Sequence, residues 1–227
     1  MWSRFVRAAR ARDWAGSRLV INAFHRLWYD SPDAWAGNRF LGHSIAQCPF
    51  DLQLYQELLW ELRPPAIVQT GVDAGGSLLY FASMLDLVGV PAIAPVIGVD
   101  IRLTPEAHAV THPRVHLIEG DATADRTLAS VRTILGDRPA MVVLDSDHRR
   151  DHVRRELDCY AGFVPVGGSL VVEDTNINGH PVYPSFGPGP LEAVRDFRRA
   201  HPQFIEDTRW RRVRFSFHQH GWLTRSR

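Results

Sequence analysis

Apolar residues in this chain fall into short unbroken runs separated by stretches of helical spacing. The runs are "AIVQT" (66–70), "PVIGVD" (95–100), "VHLIEGD" (115–121), "AMVVLD" (140–145) and "GSLVVED" (168–174). None of them alternates polar with apolar positions, which predicts strands covered on both faces. Between the runs, 77–89, 122–136 and 149–163 carry helical spacing, the first two ending at Gly89 and Gly136. Residues 191–202 predict another helix. "CPFDLQLYQELLWELRPP" (48–65) reads as a helix too, with Pro49 near its start, Asp51 at its positive end and Pro64–Pro65 as its stop. The last two runs, 203–209 and 213–225, predict strands joined tightly enough to pair antiparallel.

Strands alternating with helices predict an α/β fold, a doubly wound, mostly parallel sheet of seven strands whose last strand is antiparallel. Residues 1 to about 45 are rich in Trp and Arg and irregular in period; they predict two short helices and a loop. The expected division is an N-terminal helical cap over 1–48 and a core over 49–227. Trp28, Tyr29, Trp35 and Phe40 would either pack this cap or wall a substrate site.

Composition narrows the function classes. A formal net charge of +1 gives no bulk electrostatic reason for a nucleic-acid or membrane partner. All 26 basic residues are Arg, so Schiff-base chemistry and a P-loop lysine are excluded. The two cysteines, Cys48 and Cys159, have no CxxC spacing, which points to a reducing compartment and no zinc knuckle. No apolar run approaches ~20 residues, so no membrane-spanning helix is expected. The N-terminal "MWSRFVRAARARDW" lacks the apolar stretch of a secretory signal. Together these predict a cytoplasmic protein with a small-molecule partner, and the aromatic N-terminal segment suggests a homo-oligomer.

In such sheets ligands sit beyond the carboxyl ends of the strands, so those ends carry the candidate chemistry. The first strand runs into "QTGVDAGGS", where Gly71, Gly75 and Gly76 precede a helix and permit close backbone approach to a ligand. Asp100 ends the second strand, where an acid can accept ribose hydroxyls; Asp121, after the third, can receive an adenine amino group. Capping roles are the plain alternatives for both. The fourth run ends at Asp145, followed by Asp147 and His148, and the fifth at Glu173–Asp174. If those strands are neighbours, three carboxylates meet at one edge of the sheet, ~5 Å apart. Clustered carboxylates repel unless protons or a cation neutralise them, and all-oxygen ligation suits Mg²⁺, Mn²⁺ or Ca²⁺. His148 and His152 form H-x-x-x-H, a weaker zinc reading; His148 fits a base or proton relay better. The long Pro/Gly-rich loop 175–190, with His180, Tyr183, Ser185 and Phe186, reads as a lid, a substrate wall or a rigid crossover.

These motifs in this order, "QTGVDAGGSLLYFA", "VIGVDIR", "EGDAT", "VVLDSDHRRDHV" and "VVEDTNINGHPVYPSFGPGPLEAV", resemble the rhamnosyl O-methyltransferase and cephalosporin hydroxylase (CmcI-like) family, and so does "FLGHSIAQCPFDLQLYQELLWELRP". The resemblance covers roughly 38–227. It implies a class I methyltransferase fold of Rossmann-like type and an O-methyltransferase that uses S-adenosyl-L-methionine with Mg²⁺ (or Mn²⁺). Gln69, Thr70, Gly71, Gly75, Gly76 and Ser77 would hold the methionine part of the cofactor, Asp100 the ribose, and Asp121 and Ala122 the adenine, with Asp145 alongside. Asp145, Glu173 and Asp174 would hold the metal, and Asp147 or His148 would be the base. Two positions depart from the family: Gln69 stands where Glu is expected and Gln47 where Lys is common. The implied function is methylation of a hydroxyl on a sugar or other polyhydroxylated natural product, as in antibiotic biosynthesis. The rival readings are an NAD(P)-dependent oxidoreductase on a similar sheet and a non-catalytic adenosyl-cofactor-binding protein.

Overall fold

The computed structural model describes residues 16–227. The chain opens with helices α1 (Ser17–Tyr29) and α2 (Pro32–Ala36) and a small hairpin of β1 (Arg39–Phe40) and β2 (His43–Ser44). Next come α3 (Pro49–Leu62), β3 (Ile67–Thr70), α4 (Gly76–Leu87), β4 (Val96–Asp100), the single turn α5 (Pro105–His108) and β5 (Val115–Glu119). The second half holds α6 (Asp125–Leu135), β6 (Met141–Leu144), α7 (Arg150–Tyr160), β7 (Ser169–Val172), α8 (Pro190–Ala200), β8 (Phe204–Glu206) and β9 (Trp222–Arg225).

Strands pair in the order β5-β4-β3-β6-β7-β9-β8. The first five are parallel, and β9 runs antiparallel between β7 and β8. The unbroken apolar runs have a direct cause. Along β3, Ile67 faces one layer of core and Val68 the other; Val143 and Val171 join the first, while Val142, Leu144 and Leu170 join the second. Helices α3 and α4 cover the Ile67 face and α6, α7 and α8 cover the Val68 face. Each such side chain taken fully out of water contributes about 1.5–3 kcal/mol.

The strand order reverses between β3 and β6, and there the backbones touch. A Cβ at Gly71, whose φ is +79°, would lie 1.9 Å from the Asp145 carbonyl oxygen. Only glycine fits, and the β3 loop is thereby pinned beside the end of β6. A third cluster, Tyr29, Cys48, Ile177, Val182 and Phe217 with Phe24, Trp28 and Trp35 against it, joins the N-terminal helices to the loop after β7. The C-terminal reading is corrected in one respect. The expected strand over 213–225 is only Trp222–Arg225, and a 3-10 helix (Thr208–Arg212) and turns separate it from β8. Residues 215–218 turn inward instead, because Phe215 and Phe217 pack on Phe24 and Asp51 accepts the Phe217 N–H at 2.9 Å.

Candidate active site

Two cavities meet over the carboxyl ends of the parallel strands. The first, of about 550 Å³, is lined by the β3 loop (Gly71, Val72, Asp73), Gln69, Gly76, Ser77, Asp100, Asp121, Ala122 and the β6 end, Asp145 to Asp147. The second, about 600 Å³, is lined by Tyr29, Trp35, His148, Asp174, Tyr183 and Phe186 among others. Ala46, Asp73 and Asp145 border both.

In the first cavity Gln69 is buried, and its Nε2 donates to the Gly71 carbonyl at 2.6 Å and to Ser77 Oγ at 2.8 Å. Its Oε1 has no hydrogen-bond partner among the described residues. An unsatisfied buried acceptor costs about 1–3 kcal/mol, so a ligand donor beside it would be favoured. Asp100 braces the glycine loop: Oδ2 accepts the N–H of Val72 at 2.7 Å and of Asp73 at 3.3 Å, and Oδ1 that of Arg102 at 3.0 Å. Asp121 accepts the N–H and hydroxyl of Thr123, both at 2.8 Å, which hold its carboxyl below the usual range. Thr70 and Gly75, expected among the cofactor residues, do not line the cavity. Thr70 is fully buried, and Gly75 (φ +81°) turns the chain against Ala107 and Val110. The hairpin crosses the entry to α4 so closely that a Cβ at Gly76 would lie 2.1 Å from the Ser44 carbonyl oxygen.

The acids converge because β6 and β7 pair in register, with Leu144 opposite Val172. Ligand atoms of Asp145, His148 and Asp174 lie within 4.8 Å of one another. His148 Nε2 is 3.2 Å from Asp174 Oδ2. Glu173 is buried just behind: Oε1 accepts the Tyr55 hydroxyl at 2.6 Å and Oε2 the Gln47 amide at 2.5 Å. Gln47 Nε2 also reaches Asp145 Oδ2 at 3.3 Å, so one amide bridges two acids. Burial, then the charges of Glu173 and Asp174, push the Asp145 carboxyl well above its ordinary value. Burial would raise Asp174 too, but the bond and charge of His148 hold it down. For His148, burial works against the charged ring and is outweighed by Asp174, Glu173 and Asp147, so its pKa rises. The clustered donors are two carboxylates and one imidazole, with Glu173 turned to Tyr55 and Gln47 behind them, and this mostly oxygen set suits a divalent ion.

Asp147 stands apart from this group. Burial raises its carboxyl, but the Arg149 N–H at 2.9 Å and guanidinium at 2.8 Å together outweigh it and hold the pKa below the usual range, which weakens it as a base. The zinc reading of H-x-x-x-H gains no support. His148 precedes α7 and faces Asp174, whereas His152 pairs with Glu156 at 3.6 Å and lines the other cavity.

Some site residues were not foreseen. Ser44, Ile45 and Ala46 line the first cavity. Asp51 and Tyr55, one helical turn apart on α3, both turn into the core behind Glu173, and His218 joins them. The four-residue spacing of Asp51 and Tyr55 was a visible signal; His218, 44 positions from Asp174, had none. Burial opposes charge on His218 and the surrounding carboxylates Asp51, Glu173 and Asp174 favour it, but the Asp174 N–H directed at Nδ1 leaves no place for a second ring proton.

The sheet order, the glycine turn at the switch point and the acids beyond β4, β5, β6 and β7 define a class I methyltransferase fold. The chain belongs to the Rhamnosyl O-methyltransferase/CmcI family, whose model matches residues 33–226. It is 33% identical over 210 residues to a rhamnosyl O-methyltransferase of Mycobacterium leprae, covering 91% of this chain and 90% of that one. A rhamnosyl O-methyltransferase of Mycobacterium bovis is 32% identical over 211 residues, covering 92% and 83%. A CmcI structure in its Mg–SAM form shares the fold at TM-score 0.63 and 20% identity, covering 88% of this chain and 83% of its own. MycE of mycinamycin biosynthesis, with Mg, SAH and mycinamycin VI, matches at TM-score 0.51 and 20% identity, over 82% of this chain and 47% of its own.

Proposed function

We propose that this protein is a divalent-metal-assisted O-methyltransferase that uses S-adenosylmethionine to methylate a hydroxyl of a sugar or sugar-bearing natural product. The observation that carries the reading is the pair of cavities joined at Asp145. Cofactor and acceptor each have a compartment, and the acids stand at the junction. The named activity of the relatives and the Mg and SAM or SAH bound by the solved structures support the same reading.

In this reading the glycine turn and Gln69 receive the methionine part of the cofactor, with Gln69 Oε1 accepting from its amino group. Asp100 takes the ribose hydroxyls, and Asp121 and Ala122 the adenine. Asp145, Glu173 and Asp174 hold the metal, for which Mg²⁺ or Mn²⁺ suits the oxygen donors. When bound, the ion would favour the ionised form of the acceptor hydroxyl and fix its position. His148, on the acceptor side of the junction with Nε2 3.2 Å from Asp174 Oδ2, removes the hydroxyl proton at Nδ1, the nitrogen that does not face Asp174. Asp147, tied to Arg149, is the weaker candidate for that proton. Tyr29, Trp35, Tyr183 and Phe186 offer aromatic faces to the acceptor ring and exclude water from the junction.

Transfer of labelled methyl from S-adenosylmethionine to a panel of rhamnosides and other glycosides, with and without EDTA, tests the reading. Activity is expected on a sugar hydroxyl, lost on chelation and restored by Mg²⁺ or Mn²⁺. Activity that survives both EDTA and Asp145→Ala would remove the metal from the scheme. The same proposal includes a helical cap ending at residue 48 and a cytoplasmic homo-oligomer; light scattering tests the assembly.

A further inference from the structure

Glu173 and Asp174 are consecutive, yet their carboxylates do different things. Glu173 points inward to Tyr55 and Gln47, and Asp174 points to His148. Neighbouring side chains on a straight strand would face opposite sides of the sheet. Here the chain leaves the strand at Asp174 with φ +51°, the left-handed region that non-glycine residues avoid. Such a conformation persists only when its surroundings hold it. The hold is visible: the Asp174 N–H donates to His218 Nδ1 at 2.8 Å.

That bond fixes the chemistry of the imidazole. A nitrogen that accepts an N–H has no proton of its own, so the ring proton sits on Nε2. Nε2 lies 3.4 Å from Glu173 Oε2 and 3.6 Å from Asp51 Oδ2, so its N–H faces both acids without a tight bond to either. The ring is 2% exposed, and its own turn is anchored from behind. Asp51 accepts the Phe217 N–H at 2.9 Å, and Ser216 Oγ accepts the His218 N–H at 3.1 Å. The C-terminal turn is thereby clamped to α3 on one side and to the end of β7 on the other.

We propose that His218 is a positioning residue for the metal site: through its unprotonated Nδ1 it fixes Asp174 in its left-handed conformation and keeps the Asp174 carboxylate aimed at Asp145 and His148. This rests on the reading of Asp145, Glu173 and Asp174 as metal ligands. His218 touches neither cavity, so it acts through Asp174 and not on the acceptor or cofactor.

The test compares His218→Asn, His218→Gln and His218→Phe with the wild-type chain. An Asn amide oxygen can replace Nδ1 as acceptor, Gln places its polar group near Nε2, and Phe keeps the volume with no acceptor. Mg²⁺ and Mn²⁺ affinity is measured by calorimetry, with S-adenosylhomocysteine affinity as the check on the fold. His218→Phe and His218→Gln are expected to weaken metal binding by roughly 10–100-fold, the usual loss when a ligand's support is removed. His218→Asn should stay within about threefold, and S-adenosylhomocysteine binding should be unchanged throughout. On the wild-type protein, ¹⁵N shifts of the His218 ring should show Nδ1 unprotonated, a readout that needs no variant to fold. Equal metal affinity in His218→Phe and wild type, equal losses in His218→Asn and His218→Phe, or a proton on Nδ1 would overturn the proposal. A wild-type chain that takes up no divalent ion would overturn the metal reading itself, and this role with it.

Discussion

Asp145→Asn should stabilise the metal-free protein while abolishing metal uptake. Carboxylate oxygens of Asp145 and Asp174 lie within 4.8 Å. At an effective dielectric near 20, two negative charges at that separation repel by about 3–4 kcal/mol. Asp145 escapes part of this by holding a proton, as its raised pKa records, so the expected gain is about 1–3 kcal/mol. For a chain of this length that is roughly 3–10 °C in Tm. The gain depends on pH in a defined direction. A carboxyl with raised proton affinity binds protons on folding, so metal-free wild type loses stability as pH rises from about 4 through the folded value. Asp145→Asn escapes that loss, and its advantage grows over the same window before levelling. Addition of Mg²⁺ at a hundredfold over its Kd should stabilise wild type by about 2.7 kcal/mol and leave Asp145→Asn unmoved. Differential scanning fluorimetry in EDTA and in Mg²⁺, over a pH series, reads all of this. If Asp145→Asn melts below wild type without metal, or both respond alike to Mg²⁺, then Asp145 is not a repelled acid awaiting a cation.

Three further outcomes follow from other parts of the molecule. His148→Gln should lower kcat by roughly 10²–10⁴-fold with S-adenosylhomocysteine affinity intact, as loss of a general base does. Because Asp174 raises the His148 pKa above the ordinary 6.5, wild-type activity should fall as pH drops through that raised value; an acid limb unchanged in His148→Gln would exclude His148 as its source. Trp35→Ala, which removes an aromatic wall of the second cavity, should raise KM for the acceptor about tenfold with the cofactor Kd unaltered. Burial opposes ionisation of Glu206, but His220 and Arg211 prevail and bring its pKa to about 2, from 4.5. Discounted for solvent screening of the exposed Arg211 and His220, that depression is worth about 1–2 kcal/mol, present above pH 4.5 and lost toward pH 2, so the deficit of Glu206→Gln in denaturant melts should vanish over that interval.

The strands were readable because burial on both faces demands uninterrupted apolar runs, and residues 66–70, 95–100 and 140–145 supply them. Gly71 was readable as a close approach, though not as one to the Asp145 backbone, since strand order is not written locally. Asp145 and the Glu173–Asp174 pair were legible as acids ending two strands. What escaped was long-range. Gln47 was noted only as a departure from a lysine, whereas it bridges Asp145 and Glu173. Asp51 fits the first turn of a helix as a solvated acid does, so only its four-residue spacing from Tyr55 hinted at its burial against the Phe217 N–H. The 213–225 segment was misjudged because Phe215 and Phe217 alternate with polar residues as a strand would, yet pack against the rings of α1. Periodicity says which side of an element is apolar, not which neighbour covers it.

The insertion of β9 between β7 and β8 has a consequence for biosynthesis. Glu173 and Asp174 leave the ribosome some 45 residues ahead of His218, and the turn that braces them is drawn inward only when Trp222–Arg225 add to the sheet beside β7. Until then Glu173 has only Tyr55 and Gln47 behind it, and Asp174 lacks the acceptor for its N–H. A nascent chain stalled before residue 216 would therefore carry Asp174 without the imidazole that braces it.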